Sequence, residues 1–148
     1  MRLADFRILL ASDDTPGALV AVDWVRRHFE PARTRVTVVT VLVPPPAQWE
    51  AVAGAPLWAD VAETDLVPET KARLAAFTPD VIVRRGDPVR EIRAAAESVR
   101  PDLIVMGHRG LKGIERWMMG SVAKGVVDAS DCPVLVIPEI RPGRARSA

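Results

Sequence analysis

The chain has 148 residues, of which 49% are hydrophobic and 26% charged, and its formal net charge is +1. This size and balance predict a globular protein with a substantial core, and they argue against a strongly basic nucleic-acid binder or a chain drawn to anionic membranes. No apolar run reaches the roughly 20 residues that a membrane helix needs, and residues 1–14 lack the cleavage signal of a secreted protein. We therefore expect a cytoplasmic protein that engages neither membrane nor nucleic acid.

The first part of the chain predicts a strand, a helix and a second strand. The strands are FRILLA (6–11) and RVTVVTVLV (35–43). Between them a helix is predicted to begin at Pro16, with Thr15 as its cap, and to stop before Pro31. The continuous runs of Val, Ile and Leu are typical of strands covered on both faces, as in a parallel sheet.

Residues 44–79 are harder to interpret. The proline- and alanine-rich run PPPAQWEAVAGAPLW predicts a loop or a broken helix, whereas ETKARLAAF (69–77) predicts a short helix opened by Pro68. No internal repeat is visible. We expect a single domain over residues 1–140, followed by a flexible basic tail at residues 141–148.

The second half of the chain continues the alternation of strands and helices. In chain order it predicts a weaker strand DVIVR (80–84), a helix opened by Asp87 and Pro88 and ended by Pro101, a strand DLIVM (102–106), a helix from Ser121, and a last strand PVLVIP (133–138). The resulting order of elements favours an open α/β sheet with right-handed crossovers.

A long connection marked by glycines joins the strand at 102–106 to the helix that begins at Ser121. From Gly107 to Met119 it spans 13 residues, a length at which loops of compact domains are commonly functional. Gly107 and Gly110 would let backbone amides approach an anion without interference from a Cβ atom, and the helix start offers free N–H groups to a phosphate. The alternative is a glycine-rich turn with Ser121 as an ordinary N-cap, and the spacing alone leaves both interpretations open.

Polar segments follow two of the predicted strands. SDDT (12–15) follows the first strand and GHRG (107–110) the fourth. In open α/β sheets, ligands bind at the carboxyl ends of the strands, where the strand order reverses. If these two strands are neighbours, their loops form one site.

Several common sites are not indicated by the sequence. It contains no G-x-G-x-x-G after the first strand, no G-x-x-x-x-G-K-[ST] and no G-x-S-x-G. His28 and His108 are the only histidines and Cys132 is the only cysteine. A site built from His and Cys ligands is therefore not expected, an internal disulfide is impossible, and Cys132 is predicted to be a small core residue.

The segment GHRGLKGIERWMMGSV fits the pattern G-x2-G-x9-G-[ST], with Gly107, Gly110, Gly120 and Ser121 in register. This pattern resembles the nucleotide-phosphate motif of the universal stress protein family, in its ATP-binding branch. RILLASDDTPGALVAVDWV looks like the opening strand and helix of that family, RRGDPVREI like its central turn, and SDCPVLVIP like its closing strand. The resemblance covers nearly the whole chain, and only residues 44–79 lack a clear correspondence.

The resemblance implies a Rossmann-like fold, with a five-stranded parallel sheet of order 3-2-1-4-5 and helices on both faces. It also implies bound ATP with Mg²⁺ on the phosphates. Asp13 would lie at the ribose, the backbone of Val41 at the adenine, and Ser12 at the edge of the same pocket. The implied phosphate loop consists of Met106, Gly107, His108, Arg109, Gly110, Gly120, Ser121 and Val122. Of these, His108 and Arg109 occupy variable positions, and Arg109 either adds charge to a triphosphate or is an ordinary surface arginine.

The leading functional hypothesis is an ATP-binding regulatory or stress-response module with at most slow hydrolysis. No efficient catalytic base is indicated, because Asp13 is the one carboxylate placed near the phosphates and Asp14 is expected to face solvent. A dimeric interaction module that binds no nucleotide is the alternative, and the intact glycine motif argues against it. A third hypothesis, an enzyme of adenylate chemistry, would need catalytic loops for which 148 residues leave little room.

The last predicted strand is expected to form a homodimer contact. PVLVIP contains four consecutive apolar residues and lies at a sheet edge in the implied strand order. An apolar edge without lysine or inward charge invites pairing with another strand, and the same strand of a two-fold partner is the simplest cover. The predicted interface consists of Val134, Leu135, Val136 and Ile137. The alternative is that residues 139–148 fold back over the edge.

Overall fold

The computed structural model describes residues 5–44, 66–108 and 119–139. Arg109, Gly110, the basic tail and most of the 44–79 segment lie outside the described residues. In chain order the elements are β1 (Phe6–Ala11), α1 (Pro16–His28), β2 (Thr34–Leu42), α2 (Pro68–Arg73), β3 (Asp80–Arg85), α3 (Pro88–Val99), β4 (Leu103–Gly107), α4 (Ser121–Ala129) and β5 (Val134–Ile137). Within these ranges, every helix is too short or too polar to cross a membrane.

The strands form one parallel sheet in the order β3-β2-β1-β4-β5. This confirms the order that the family resemblance implied. β1 lies at the centre, and its Ile8, Leu9 and Leu10 have no solvent exposure. Consecutive buried residues confirm that this strand is covered on both faces. The observed strand boundaries differ from the predicted ones by no more than one residue.

The helices divide the core between the two faces of the sheet. On one face, Val22 and Val25 of α1 pack with Leu74, which follows α2. On the other face, Ile92 of α3 and Val126 of α4 pack against the sheet. The predicted arrangement of helices on both faces is therefore confirmed.

Two helix starts follow the capping chemistry that the sequence predicted. The hydroxyl of Thr15 accepts a hydrogen bond from the N–H of Ala18 (3.4 Å) at the start of α1. The carboxylate of Asp87 accepts one from the N–H of Arg90 (2.9 Å) at the start of α3. Each cap satisfies an N–H group that has no partner within its helix.

The single helix predicted over residues 69–77 is wrong in its second half. α2 ends at Arg73, and a separate 3₁₀ turn covers Ala75–Phe77. In a 3₁₀ turn, side chains three residues apart lie on the same side. Both Leu74 and Phe77 are buried in the core cluster that includes α1.

Gly125 lies inside α4, where glycine costs about 1 kcal/mol relative to alanine. A Cβ atom built on Gly125 would lie only 2.6 Å from Cγ2 of Val89 in α3. The missing side chain therefore lets α3 and α4 pack closely on the same face of the sheet.

We expect Gly125→Ala to lower the free energy of unfolding, although alanine favours helix. Overpacking costs about 1–3 kcal/mol, which exceeds the gain of about 1 kcal/mol in helix propensity. Thermal or denaturant unfolding measures the change. In a Val89→Ala background the clash is absent, so there the same substitution should stabilise the protein. Stabilisation by Gly125→Ala in the parent chain would contradict this account of the packing.

Candidate functional site

The two polar segments singled out by the sequence meet at the carboxyl edge of the sheet. β1 and β4 are neighbours, with Leu10 paired to Val105. β2 and β3 lie on one side of β1, and β4 and β5, which follow later in the chain, lie on the other side. The strand order therefore reverses between β1 and β4, which is where ligands bind in open α/β sheets. Ser12 follows β1 at this edge, and His108 follows β4.

Gly107, the last residue of β4, packs closely against the start of α1, the helix that follows β1. A Cβ atom built on Gly107 would lie 2.4 Å from the carbonyl oxygen of Gly17 and 3.2 Å from the backbone nitrogen of Ala18. The last residue of β4 thus lies directly against the first turn of α1. The sequence suggested that this glycine admits an anion, and the structure adds a second reason, which is backbone-to-backbone packing.

Asp13 is exposed, and one of its two carboxylate oxygens already accepts hydrogen bonds within its own loop. Its Oδ1 accepts hydrogen bonds from the backbone N–H (3.0 Å) and the hydroxyl (2.5 Å) of Thr15. Such a local turn is typical of aspartate before a helix. Its Oδ2 has no partner among the residues that the structure describes. Asp13 therefore presents one oriented acceptor oxygen at the carboxyl edge.

The expectation that Asp14 faces solvent is wrong. Asp14 is half-buried, and its carboxylate accepts hydrogen bonds from the backbone N–H groups of Glu69 (2.9 Å) and Thr70 (3.0 Å). It caps α2, whose own cap position is occupied by Val67, a residue without a side-chain acceptor. Sequence reasoning missed this contact because the partners are separated by 55 and 56 positions. The available signal was the helix start at Pro68 with no capping residue before it.

The other residues predicted on the nucleoside side are Ser12 and Val41. Ser12 is buried, and its hydroxyl lies 2.7 Å from that of Thr70. The N–H of Ser12 donates to the carbonyl of Val39 (3.0 Å), so the backbone groups of Val39 face β1. Val41 lies two residues further along β2, so its N–H and C=O point to the same side as those of Val39. At that position β1 has already ended, because its last residue, Ala11, pairs with Val39. The N–H and C=O of Val41 therefore open toward the crevice, where they are available to the edge of a base.

On the side predicted to bind phosphate, backbone hydrogen bonds hold both ends of the β4–α4 connection. The N–H of His108 donates to the carbonyl of Ile137 (2.9 Å), and its carbonyl accepts from the N–H of Gly120 (2.8 Å). Gly120 is the cap residue of α4, so the alternative of Ser121 as an ordinary N-cap is wrong. No side chain in the described ranges caps this helix, and its first N–H groups are therefore available to an anion.

The side chains around the start of α4 point in different directions. Ser121 is exposed, whereas Val122 packs against the core and can offer only its backbone N–H. Met106 is buried in the same core. Lys124 donates to Asp128 (2.8 Å) further along the helix, and this contact raises the pKa of Lys124. Its ammonium group is thereby engaged away from the first turn.

The described side chains show no ready-made metal centre. No group of three or more His, Cys, Asp or Glu residues within the described ranges is arranged to hold a metal ion.

A groove of about 440 Å³ lies at the opposite, amino-terminal end of the sheet strands. It is lined by residues of both charge signs, including Arg93, Glu97 and Asp131. There Cys132 is half-buried, and burial raises the pKa of its thiol. The mixed charges give this groove no evident ligand preference, so we place the candidate site at the carboxyl edge.

We expect Gly107→Ala to lower the free energy of unfolding by about 3 kcal/mol, the upper end of overpacking costs. The new methyl group would meet backbone atoms of Gly17, which cannot rotate away as a side chain can. Denaturant unfolding of Gly107→Ala and Gly125→Ala in parallel provides a matched comparison, because the second clash involves only a side chain. A smaller effect at Gly107 than at Gly125 would show that β4 does not rest on α1 in this way.

The sequence model of the universal stress protein family matches residues 6–138. A universal stress protein from the 3′ region of the QAH/OAS sulfhydrylase of Thermus aquaticus is 30% identical over 136 residues, which cover 88% of this chain and 96% of that protein. Two further curated relatives are matched over only 31% and 45% of their own length.

Solved structures share the fold. A universal stress protein in complex with cAMP superposes with a TM-score of 0.60 at 25% identity, covering 92% of this chain and 98% of that one. A universal stress protein family protein from Arabidopsis thaliana, solved with AMP bound, gives a TM-score of 0.65 at 18% identity and covers 96% and 97% of the two chains. Together with the match over residues 6–138, these findings establish that the chain belongs to the universal stress protein family.

Proposed function

We propose that this protein binds ATP at the carboxyl edge between β1 and β4 and acts as a regulatory module in a stress response. The observation that carries the proposal is the placement of an oriented carboxylate oxygen on Asp13 and an uncapped helix start at Ser121 on neighbouring strand ends. The first suits a sugar hydroxyl and the second a phosphate. Family members solved with AMP and with cAMP support an adenine nucleotide as the ligand.

In the proposed complex, each part of the nucleotide meets a different strand end. The adenine edge bonds the backbone of Val41, and the ribose hydroxyls bond Oδ2 of Asp13. The phosphates lie beside Gly107 and at the start of α4, because the N–H of His108 already donates to the carbonyl of Ile137. The proposed phosphate donors are Gly110, Ser121 and Val122. Gly120 and Arg109 lie beside them in this proposal, and the N–H of Gly120 already donates to the carbonyl of His108. Mg²⁺ would be held mainly by phosphate oxygens and water, as is usual for this ion.

Binding rather than rapid turnover is the proposed activity. The carboxylate of Asp14 accepts hydrogen bonds from Glu69 and Thr70, and Oδ1 of Asp13 accepts two from Thr15. A general base must be free to take a proton from the attacking water. These contacts disfavour Asp14 in that role, and the remaining oxygen of Asp13, Oδ2, is assigned to the ribose hydroxyls in this proposal. We therefore propose slow hydrolysis at most.

Calorimetric titration with Mg·ATP, followed by a phosphate-release assay on the same preparation, tests the proposal. We expect saturable binding of one nucleotide per chain and little phosphate release. A protein that is dimeric but gives no binding heat would be the non-binding interaction module instead. Fast release of phosphate or pyrophosphate would favour an enzyme.

Asp13→Asn should weaken ATP binding without unfolding the protein. A hydrogen bond to a charged group contributes about 1.5–3 kcal/mol, so we expect at least about a tenfold rise in Kd. Asp131→Asn, an exposed aspartate at the opposite end of the sheet, is the matched control and should bind as the parent does. If Asp13 only orders its own loop, the melting temperature will fall while the affinity stays unchanged, and the ribose assignment fails.

We also propose a homodimer in which β5 pairs with the same strand of a partner. β5 lies at the edge of the sheet. The carbonyls of Pro133 and Ile137 accept hydrogen bonds from the N–H groups of Ile104 and His108, on the β4 side. The backbone groups of Val134 and Val136 therefore face away from β4, toward the edge of the sheet. No described strand pairs with this side of β5, and a free strand edge is a template for pairing.

Val136→Pro should convert the dimer to a monomer in light scattering at micromolar concentration. Proline at this position removes an N–H that faces the open edge and leaves the bonds to β4 in place, a position where sheets tolerate it. Val136 also packs against the core on the α3 and α4 face, so an unchanged melting profile of the monomer is the necessary control. A parent that is already monomeric, or a proline variant as dimeric as its parent, would refute the proposed interface.

A further inference from the structure

We propose that Asp14 and Thr70 form a clamp that positions the β1–α1 loop for ribose recognition, although neither residue touches the nucleotide. The inference rests on the proposed nucleotide function, and it adds a specificity-determining contact outside the site itself. Its core is a hydrogen-bonded ring of Ser12, Asp14 and Thr70.

The direction of each hydrogen bond in the ring follows from the number of donors. The hydroxyl of Thr70 lies 2.5 Å from Oδ1 of Asp14, and it must be the donor because a carboxylate only accepts. With its single hydrogen used, Thr70 must accept in the 2.7 Å contact with Ser12. The N–H of Asp14 donates to the Ser12 hydroxyl (3.3 Å) and closes the ring. Such a ring strengthens its members cooperatively.

Burial makes this ring costly to break. Thr70 has no solvent exposure and Ser12 has 5%. A buried hydroxyl that loses its partner cannot turn to water instead. The hydrogen of the Ser12 hydroxyl is also committed to Thr70, so Ser12 acts on the site through the ring rather than by donating to a nucleotide.

The backbone of Asp14 explains why the ring matters for Asp13. Asp14 has φ of 58°, in the left-handed region that non-glycine residues occupy at a cost. This conformation directs the Asp14 carboxylate inward to α2 while the neighbouring Asp13 stays exposed at the carboxyl edge. Without the clamp, the loop is free to relax into a commoner conformation, and the oriented oxygen of Asp13 moves with it.

Helix α2, which carries Thr70, is also held by a contact with α1. Arg73 of α2 forms an ion pair with Asp23 of α1 (2.8 Å), so α2 cannot simply follow a displaced loop. The clamp therefore joins the loop to an anchored helix. Val67 at the start of α2 is also left-handed, with φ of 47°, and is buried. A strained β-branched residue persists only where its surroundings hold it, and the bonds of Asp14 to Glu69 and Thr70 supply that hold.

The test compares ATP with 2′,3′-dideoxy-ATP, which lacks the ribose hydroxyls. Calorimetry is run on the parent, Thr70→Val and Thr70→Ser at a temperature where all three are folded. The parent should prefer ATP by at least about tenfold, the lower end for a hydrogen bond to a charged group. Thr70→Val keeps the shape but not the hydroxyl and should lose most of this preference, with dideoxy-ATP affinity unchanged. Thr70→Ser keeps the hydroxyl and should retain the preference.

Asp14→Asn provides a second route if Thr70→Val does not fold. It keeps the size of the side chain but replaces one acceptor oxygen with a donor, and it should show the same loss of preference. A parent-like preference for ATP in the folded clamp variants, or an equal loss of both nucleotides, would overturn the inference. Failure of the parent to bind ATP is a separate outcome, since it rejects the proposed function itself and the clamp with it.

Discussion

The parallel pairing of β1 with β4 is the constraint on which the candidate site depends. After β1 the chain turns to α1 on one face of the sheet, and after β4 it turns to α4 on the other. Two neighbouring strands whose chains leave toward opposite faces must open a crevice between their loops. Gly107 keeps that crevice narrow, because its backbone rests on the carbonyl of Gly17 where any side chain would hold the strand away.

Within this crevice the proposed recognition groups are mostly backbone. The N–H and C=O of Val41 and the uncapped start of α4 are fixed by the strand and the helix that carry them, and the bonds of His108 to Ile137 and Gly120 hold both ends of the β4–α4 connection in place. Such groups lose little conformational freedom when a ligand arrives, which favours affinity through preorganisation. The side chain that needs separate positioning is Asp13, since it stands on a loop.

Much of this architecture could be predicted from the sequence because it is encoded locally. Continuous apolar runs mark strands covered on both faces, and Thr15 and Asp87 mark helix starts within three residues of the N–H groups they cap. The glycine spacing likewise predicts a phosphate site at the β4–α4 connection, and this stays a prediction. The helix over 69–77 was only half correct, because α2 ends at Arg73 and a 3₁₀ turn follows, although no proline or glycine at this point marks the end of a helix.

The features that sequence reasoning missed all join distant parts of the chain. Asp14 looked like a solvent-facing loop residue because the partners of its carboxylate belong to a helix 55 positions away. That helix begins at Pro68 after a valine that cannot cap it, so its free N–H groups require an acceptor from elsewhere in the fold. A helix start without a capping residue and an unassigned aspartate beside a ligand loop are each uninformative alone. Considered together on an α/β sheet, they define the long-range contact that joins the proposed ribose side of the site to the rest of the fold.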